Sequence, residues 1–404
     1  MQNKKTLVVI GGGAAGFFAA IKTAEVNSNL SVIILEQGLE VLGKVKISGG
    51  GRCNVTHACF DIKELVKFYP RGSKELLSPF YQFNCEHTTD WFENRNVKLK
   101  TEEDGRIFPV TDDSQTIVDC LVQQAILLGV KIIRQAKVIQ IEKQEHKFVV
   151  HAIQQQISAD FVLVTSGSNN TIWNILKNIG HTIVEPVPSL FSFNTKNTLF
   201  KELSGISIAG THIKIKNTSY TANGILLITH TGLSGPAILK LSAFAARALA
   251  EQNYIFSIQI NWINYTKNEA IEQLTIIKNE HNKKAIHNFS PFGLANRFWR
   301  NCLKETKIDE TKQWANLTKN ELQLIVDFLT NSEIQIHGKS TNKDEFVTAG
   351  GVDLKEVDFK TMESKLIPNL YFAGEVLDID AVTGGFNFQA AWTTGFIAGN
   401  SINR

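Results

Sequence analysis

Apolar residues stand in short solid runs near both ends of the chain and alternate with polar ones through its middle. Thr6 to Ile10 is a continuous apolar run closed by glycine, the pattern of a strand buried on both faces. From Ala14 the segment AAGFFAAIKTAEV takes up helical spacing, and Ser31 to Leu35 repeats the buried-strand pattern. A helix over Gln115 to Leu128 is followed by strands at Lys131 to Ile133, Val138 to Ile141, Lys147 to Ile153 and Ala159 to Thr165. Strand Leu370 to Phe372 and a helix from about Phe388 to Ala398 close the sequence.

Between these ends the periodicity changes twice. Pro186 and Pro188 mark a boundary. Short runs at Leu190 to Phe193, Thr211 to Ile215, Gly224 to Thr229 and Ile255 to Ile260 then predict a small antiparallel sheet or barrel. Ser234 is expected as an N-cap, with Pro236 in the first turn of a helix reaching about Ala250. From about 266 to 332 the pattern is helical, with Thr318 and Glu321 forming a capping box. A strand around Glu345 to Thr348 leads back. The expected class is α/β: a discontinuous Rossmann-like domain over 1–188 and 345–404, an inserted antiparallel, barrel-like β domain over 189–262, and a mainly helical cap over 263–344.

The glycines say what the Rossmann-like part binds. Gly11, Gly13 and Gly16 lie on the turn between the first strand and helix, as G-x-G-x-x-G. Gly11 permits the turn, Gly13 admits a pyrophosphate to the backbone, and Gly16 lets helix pack on strand. Gly12, Ala14 and Ala15 present the free N–H groups of the helix start to the phosphates. Glu36 ends the second strand 20 residues beyond Gly16, where a carboxylate accepts from ribose hydroxyls. This much fits either NAD or FAD. The C-terminal block favours FAD: Gly374 and Glu375 follow a buried strand, and Thr383-Gly384-Gly385-Phe386-Asn387 opens the last helix. Such a helix start stabilises the anion of a reduced flavin, although a glycine loop capping a terminal helix reads similarly.

A third run, Ser48-Gly49-Gly50-Gly51-Arg52-Cys53-Asn54, can curl backbone donors round an anion, with Arg52 adding a charged fork, or can be a surface turn. Cys53 reads as a packing residue of this loop or as a nucleophile beside the cofactor. His230, in Thr229-His230-Thr231-Gly232, reads as a structural or a catalytic imidazole.

KISGGGRCNVT, together with VIGGGAAG, THTGLSGPAIL and AGEVLDIDAVTGGFNFQAAW, resembles the bacterial flavoprotein family labelled NAD(P)/FAD-dependent oxidoreductase, aminoacetone-oxidase-like or bile-acid-reductase-like, from about residue 5 to residue 400. The resemblance implies FAD, a backbone contact of Val138 with adenine, and Gly167 near the cofactor at a crossover. On this reading the cofactor-facing set also takes in Gln37, Lys44, Thr165, Ser166 and Asp378, and Asn387 joins His230 and Cys53 as candidates for catalysis.

Composition narrows the class. The chain has 404 residues, 43% of them apolar, enough for two or three cores. Lys and Arg number 42 against 39 Asp and Glu, so the net charge of +3 gives no expectation of nucleic acid. The first strand begins by residue 6 and no apolar run spans a membrane, which predicts a cytoplasmic enzyme of small molecules. Five cysteines without a CxxC pair support neither a dithiol centre nor a metal site. No second GxGxxG follows a strand, so NAD(P)H is expected at most as a transient donor to the flavin. Three chemistries stay open: reduction of an enone-like double bond, oxidation of a small amine by oxygen, and flavin-dependent tRNA modification.

Overall fold

A computed structural model describes residues 4–145, 147–197, 199–340 and 347–402, without the side chains of 199 and 201. The expected return at Glu345 begins outside the described residues; its strand is Val347–Val352. The chain divides into two compact units, Met1–Val187 with Lys343–Arg404, and Pro188–Asn342.

The first unit is built on a seven-stranded sheet. Its parallel part runs Leu370–Phe372, Phe161–Val164, Thr6–Ile10, Ser31–Leu35, Lys131–Ile133, and two short antiparallel strands, Glu363–Ser364 and Val357–Asp358, extend one edge. TLVVI, FVLV and LYF are almost wholly buried, which explains why they read as solid apolar runs and not as alternation. Register places Ile10 level with Leu35 and Val164, so the strands end together. Whatever follows them, Gly11, Glu36, Thr165 and Ala373, gathers along one rim, the side where open α/β sheets bind ligands.

Two helices cover this rim's sheet. Ala14–Val26 packs against Phe386–Ser401 through small residues: a Cβ on Gly395 would lie 2.8 Å from the Ala15 carbonyl oxygen, and one on Gly399 2.6 Å from that of Ala19. The last helix starts two residues earlier and ends three later than its periodicity predicts, because glycine at one end and small polar residues at the other mask its limits.

The second unit holds another seven-stranded sheet, antiparallel, ordered Ser332–Ile336, Phe256–Asn261, Ser207–Ile215, Thr221–Ile228, Gly232–Ser234, Ser192–Asn194, Gly338–Ser340. Its two outermost strands are separated in sequence by His337 alone, so the sheet must curl until its edges nearly meet, as in a barrel. Helices Lys267–Glu280, Asn296–Glu305 and Lys319–Asn331 follow, and the segments 189–262 and 263–344 share one hydrophobic core. Thr318 and Glu321 form the expected capping box, and Thr266 with Glu269 a second. Ser234 is not an N-cap. It ends a strand, its hydroxyl 2.7 Å from that of Ser192, and Gly235 at φ +91° caps the helix, which breaks after Phe244. No described helix is long and apolar enough to cross a membrane.

Candidate functional site

The first glycine turn is built for an approaching ligand. A Cβ on Gly11 would lie 2.6 Å from the Thr165 carbonyl oxygen, and one on Gly16 2.1 Å from the Gly11 carbonyl oxygen, so both positions require glycine for packing. Gly13 differs: a Cβ there would meet nothing within 4 Å. It stands at the N-cap of Ala14–Val26, where no side chain caps the helix. An open backbone and uncapped N–H groups are what a pyrophosphate needs. Thr165 braces the turn, its hydroxyl donating to the Gly11 carbonyl at 2.8 Å and the Ile10 carbonyl at 3.1 Å.

Glu36 is fixed beside this turn. Its carboxylate accepts from the Gly12 N–H at 2.8 Å and the Gly38 N–H at 2.7 Å. Two such bonds orient the group while leaving lone pairs for hydroxyl donors. It opens into a cleft that Gly11, Gln37, Val138 and Ser166 also line, bringing together residues that the sequence placed on four separate elements. Lys137, Asn169 and Thr171 line it too, and no sequence motif announces them. Asn169 caps Asn170–Asn178 and donates to Gln37 Oε1 at 3.2 Å. The Ser166 hydroxyl is buried with no partner among the described residues. An orphaned hydroxyl facing a glycine-lined cleft fits a nucleotide in that place.

Further along the rim, Glu375 links three segments. Its carboxylate meets Lys44 Nζ at 2.5 Å and accepts from the Thr348 N–H at 3.3 Å. A Cβ on Gly167 would lie 3.6 Å from it, which puts the predicted crossover glycine in the same cluster. Thr348, expected only as the end of the returning strand, is buried, and its hydroxyl has no partner among the described residues.

The third glycine run meets the last helix. Gly49, Gly50 and Gly51 all have positive φ, and Cβ atoms on Gly50 and Gly51 would meet nothing, so this loop also offers bare backbone. Its Ser48 hydroxyl donates to the Val45 carbonyl at 2.9 Å. Asn54 is buried; its amide, oriented to satisfy both ends, donates to the Thr56 and Ile107 carbonyls and accepts from the Gly385 N–H at 2.9 Å. Gly385 at φ +89° caps Phe386–Ser401 without any side-chain bond to the helix. Phe386 stacks on Phe68 at 4.2 Å and on His57 at 4.7 Å. Asn387 holds the preceding loop, accepting from the Ala381 N–H at 2.9 Å and donating to its carbonyl at 3.1 Å. Asp378 is buried nearby in sequence.

Three predicted residues lie in surroundings that change their chemistry. The Arg52 guanidinium bonds Glu102 at 2.6 Å, reaches Asp112 at 3.4 Å and stacks 4.0 Å from the Phe108 ring centroid. Its charge is therefore met by carboxylates and is not presented as the expected fork for a phosphate. Cys53 is wholly buried at φ +59°, and burial pushes its thiol up to about 12. At neutral pH it is a protonated packing group, so the nucleophile reading is withdrawn. His230 is exposed in a turn of the second unit, between Thr221–Ile228 and Gly232–Ser234.

A profile of the HI0933-like protein Rossmann domain matches residues 5–401. The chain belongs to this family. It is a Rossmann flavoprotein and an FAD-dependent oxidoreductase, as its glycine segments predict. Among its relatives, the ribosomal RNA dihydrouridine synthase of Haemophilus influenzae is 27% identical over 416 residues, 98% of this chain and 98% of that one. The 3-dehydro-bile acid delta(4,6)-reductase of Clostridium scindens is 25% identical over 417 residues, 97% and 98% of the two chains. The fold is also similar to that of a 3-ketosteroid-delta4-(5alpha)-dehydrogenase from Rhodococcus jostii, with a TM-score of 0.52 and 12% identity over 99% of this chain and 97% of that one.

Proposed function

We propose that this chain is an FAD-dependent reductase that adds hydrogen across a ring carbon–carbon double bond conjugated to a carbonyl, and that its substrate is a uracil base in ribosomal RNA. The observation that carries the reading is the chemistry shared by two of its full-length relatives. A dihydrouridine synthase saturates a uracil double bond next to C4=O, and a delta(4,6)-reductase saturates double bonds conjugated to a ring ketone. Their substrates differ in everything except that electron-poor alkene.

Bound flavin supplies the hydride; this chain's residues hold and tune it. Gly13 and the uncapped start of Ala14–Val26 take the pyrophosphate, Glu36 the adenosine ribose, and the cleft at Val138 and Ser166 the adenine side. Glu375 and Lys44 would hold the cofactor between its two ends, and the uncapped start of Phe386–Ser401 would favour negative charge placed against it. NAD(P)H is the transient donor.

Charge favours RNA over an apolar ring. The total of +3 hides a division: Pro188–Asn342 carries 17 Lys and Arg against 11 Asp and Glu, net +6, and the rest of the chain 25 against 28, net −3. Within the basic unit Lys283, Lys284, Lys307 and Lys319 are exposed and form no ion pair among the described residues. An excess of exposed, unpaired cations supports phosphate binding.

The test is anaerobic. The flavin should bleach on mixing with NADPH or NADH, and protein-free ribosomal RNA should then restore the oxidised band and gain two hydrogens at a uridine, read by mass spectrometry of the digest. Restoration by a 3-oxo-4,6-diene steroid and not by RNA would move the assignment to the bile-acid chemistry. No bleaching by either nicotinamide, with rapid reoxidation in air after reduction by an amine, would replace the reductase with an oxidase.

A further inference from the structure

The turn that opens the last helix is shaped from outside its own sequence. Gly384 and Gly385 both have positive φ, a region that glycine enters freely and leaves as freely. Much of what fixes the turn comes from one distant segment, residues 68–72. The Val382 N–H donates to the Phe68 carbonyl at 3.0 Å, Phe68 stacks on Phe386, and the Tyr69 hydroxyl donates to the Phe386 carbonyl at 2.7 Å. A Cβ on Gly72 would lie 2.6 Å from Ile379 Cγ1, so the two stretches of chain pack as closely as glycine permits.

A salt bridge stands at the centre of this clamp. Asp380 is fully buried and the Arg71 side chain is only 10% exposed. The guanidinium meets the carboxylate through two bonds, Nε to Oδ1 and Nη2 to Oδ2, where the two backbones also form an isolated β-bridge. Taking two charges out of water is costly, and apolar residues of similar volume often stabilise a fold as well or better. A buried pair is therefore a weak source of stability. It is a strong source of register, because a planar fork meets a carboxylate in one orientation whereas an apolar contact can slide. The register fixed here is that of Asp380, next to Ala381, whose N–H and carbonyl are both held by the Asn387 amide. The pair thereby bears on the first turn of the last helix through Ala381 and Asn387.

We propose that the Arg71–Asp380 ion pair is a positioning device for the cofactor, holding residues 379–387 in the register at which the start of Phe386–Ser401 faces the flavin. It serves the affinity and reduction potential of the flavin more than the stability of the fold. This role rests on the assignment of the Gly384–Asn387 turn to the flavin.

The test uses full-length protein loaded with FAD and a double variant, Arg71→Met with Asp380→Leu, which replaces both charges by apolar groups. Its urea midpoint should stay near that of the wild type, while its affinity for FAD falls roughly tenfold. The ratio of affinities for reduced and oxidised flavin should also change roughly tenfold, about 30 mV in the two-electron potential. Arg71→Lys, which keeps the charge but not the fork, should move both quantities the same way by less, and it decides alone should the double variant fail to fold. Gly385→Val, measured beside them, separates this role from the assignment beneath it. Lost flavin or a shifted potential in Gly385→Val, with wild-type affinity and potential in a folded Arg71 variant, would overturn the positioning role and leave the turn at the flavin. Unaltered flavin in all three proteins would take the flavin away from the turn and the positioning role with it. A loss of FAD that only follows a fall in urea midpoint, with the potential unchanged, would make the pair structural and likewise overturn the proposal.

Discussion

The Thr56 hydroxyl donates to Gln389 Oε1 at 2.6 Å inside the first unit, tying the strand after the third glycine run to the last helix across 333 residues of chain. Gln389 is fully buried, accepts also from Thr88 at 2.9 Å and donates to Thr393 at 3.0 Å. This amide joins the Asn54 bond to the Gly385 N–H in holding the Ser48–Asn54 loop against the Gly384–Asn387 turn, the two backbone surfaces assigned above to the flavin.

Gln389→Leu isolates these surfaces from one another. Thr88 can turn wholly to the Asn84 carbonyl and Thr393 already donates to that of Phe83, so Thr56 is the hydroxyl left without an oxygen partner, with only the weakly bonding Cys85 sulfur beside it. A buried orphan costs about 1–3 kcal/mol. Urea unfolding should show a loss of that size, and Thr56→Val combined with Gln389→Leu should cost less than the sum of the two single changes. Additive costs would show that the pair is not coupled.

Glu36→Ala should purify with less FAD. The carboxylate is placed to accept from hydroxyl donors, and a charge-assisted bond contributes about 1.5–3 kcal/mol, equivalent to roughly 10–100-fold in affinity. Because Glu36 also holds the Gly12 and Gly38 N–H groups, the Glu36→Gln variant is the sharper probe: it keeps one acceptor and should fall between the two. Fluorescence titration of apoprotein with FAD measures this. Wild-type affinity in the alanine variant would remove the ribose assignment.

Gly385→Val tests the other end. A side chain there must adopt φ near +89° with its Cβ 2.6 Å from the Thr56 carbonyl oxygen, so the turn has to move. The flavin should be lost, or its reduction potential should shift as the helix start is displaced. A variant with unaltered absorbance and potential would detach the helix terminus from flavin tuning.

The cofactor rim was legible because each part leaves a local trace: solid apolar runs for parallel strands, glycine where a Cβ cannot fit, and a carboxylate at fixed spacing. Thr348, Asn169 and Gln389 left none, since their roles come from partners distant in sequence. Arg52 misleads for the same reason: beside three glycines it reads as an anion ligand, but Glu102 and Asp112 arrive from another hairpin and take its charge. The charge division between units was likewise hidden in a small total until the unit boundaries were defined.

His181 gives the first unit a defined acid limit. It is 2% exposed, with Nδ1 2.9 Å from Glu356 Oε2 and Nε2 3.1 Å from the Ser364 hydroxyl, whose oxygen in turn accepts from the Leu366 and Ile367 N–H groups. The arrangement looks like a hydrolase triad, yet the serine is buried and its lone pairs are occupied by the turn that it closes. It satisfies a neutral imidazole: Nδ1–H donates to Glu356 and Nε2 accepts from Ser364. Burial outweighs Glu356 and lowers the His181 pKa below its usual 6.5. A base whose folded pKa is depressed stabilises the native state above its unfolded value, and that contribution is lost as pH falls through about 6.5 toward the lower folded value. The urea midpoint should therefore drop between pH 7.5 and pH 5.5. In His181→Gln, which keeps a donor and an acceptor but cannot titrate, the midpoint should be lower at pH 7.5 and its fall on acidification smaller. An equal fall in both proteins would place the acid-sensitive group elsewhere.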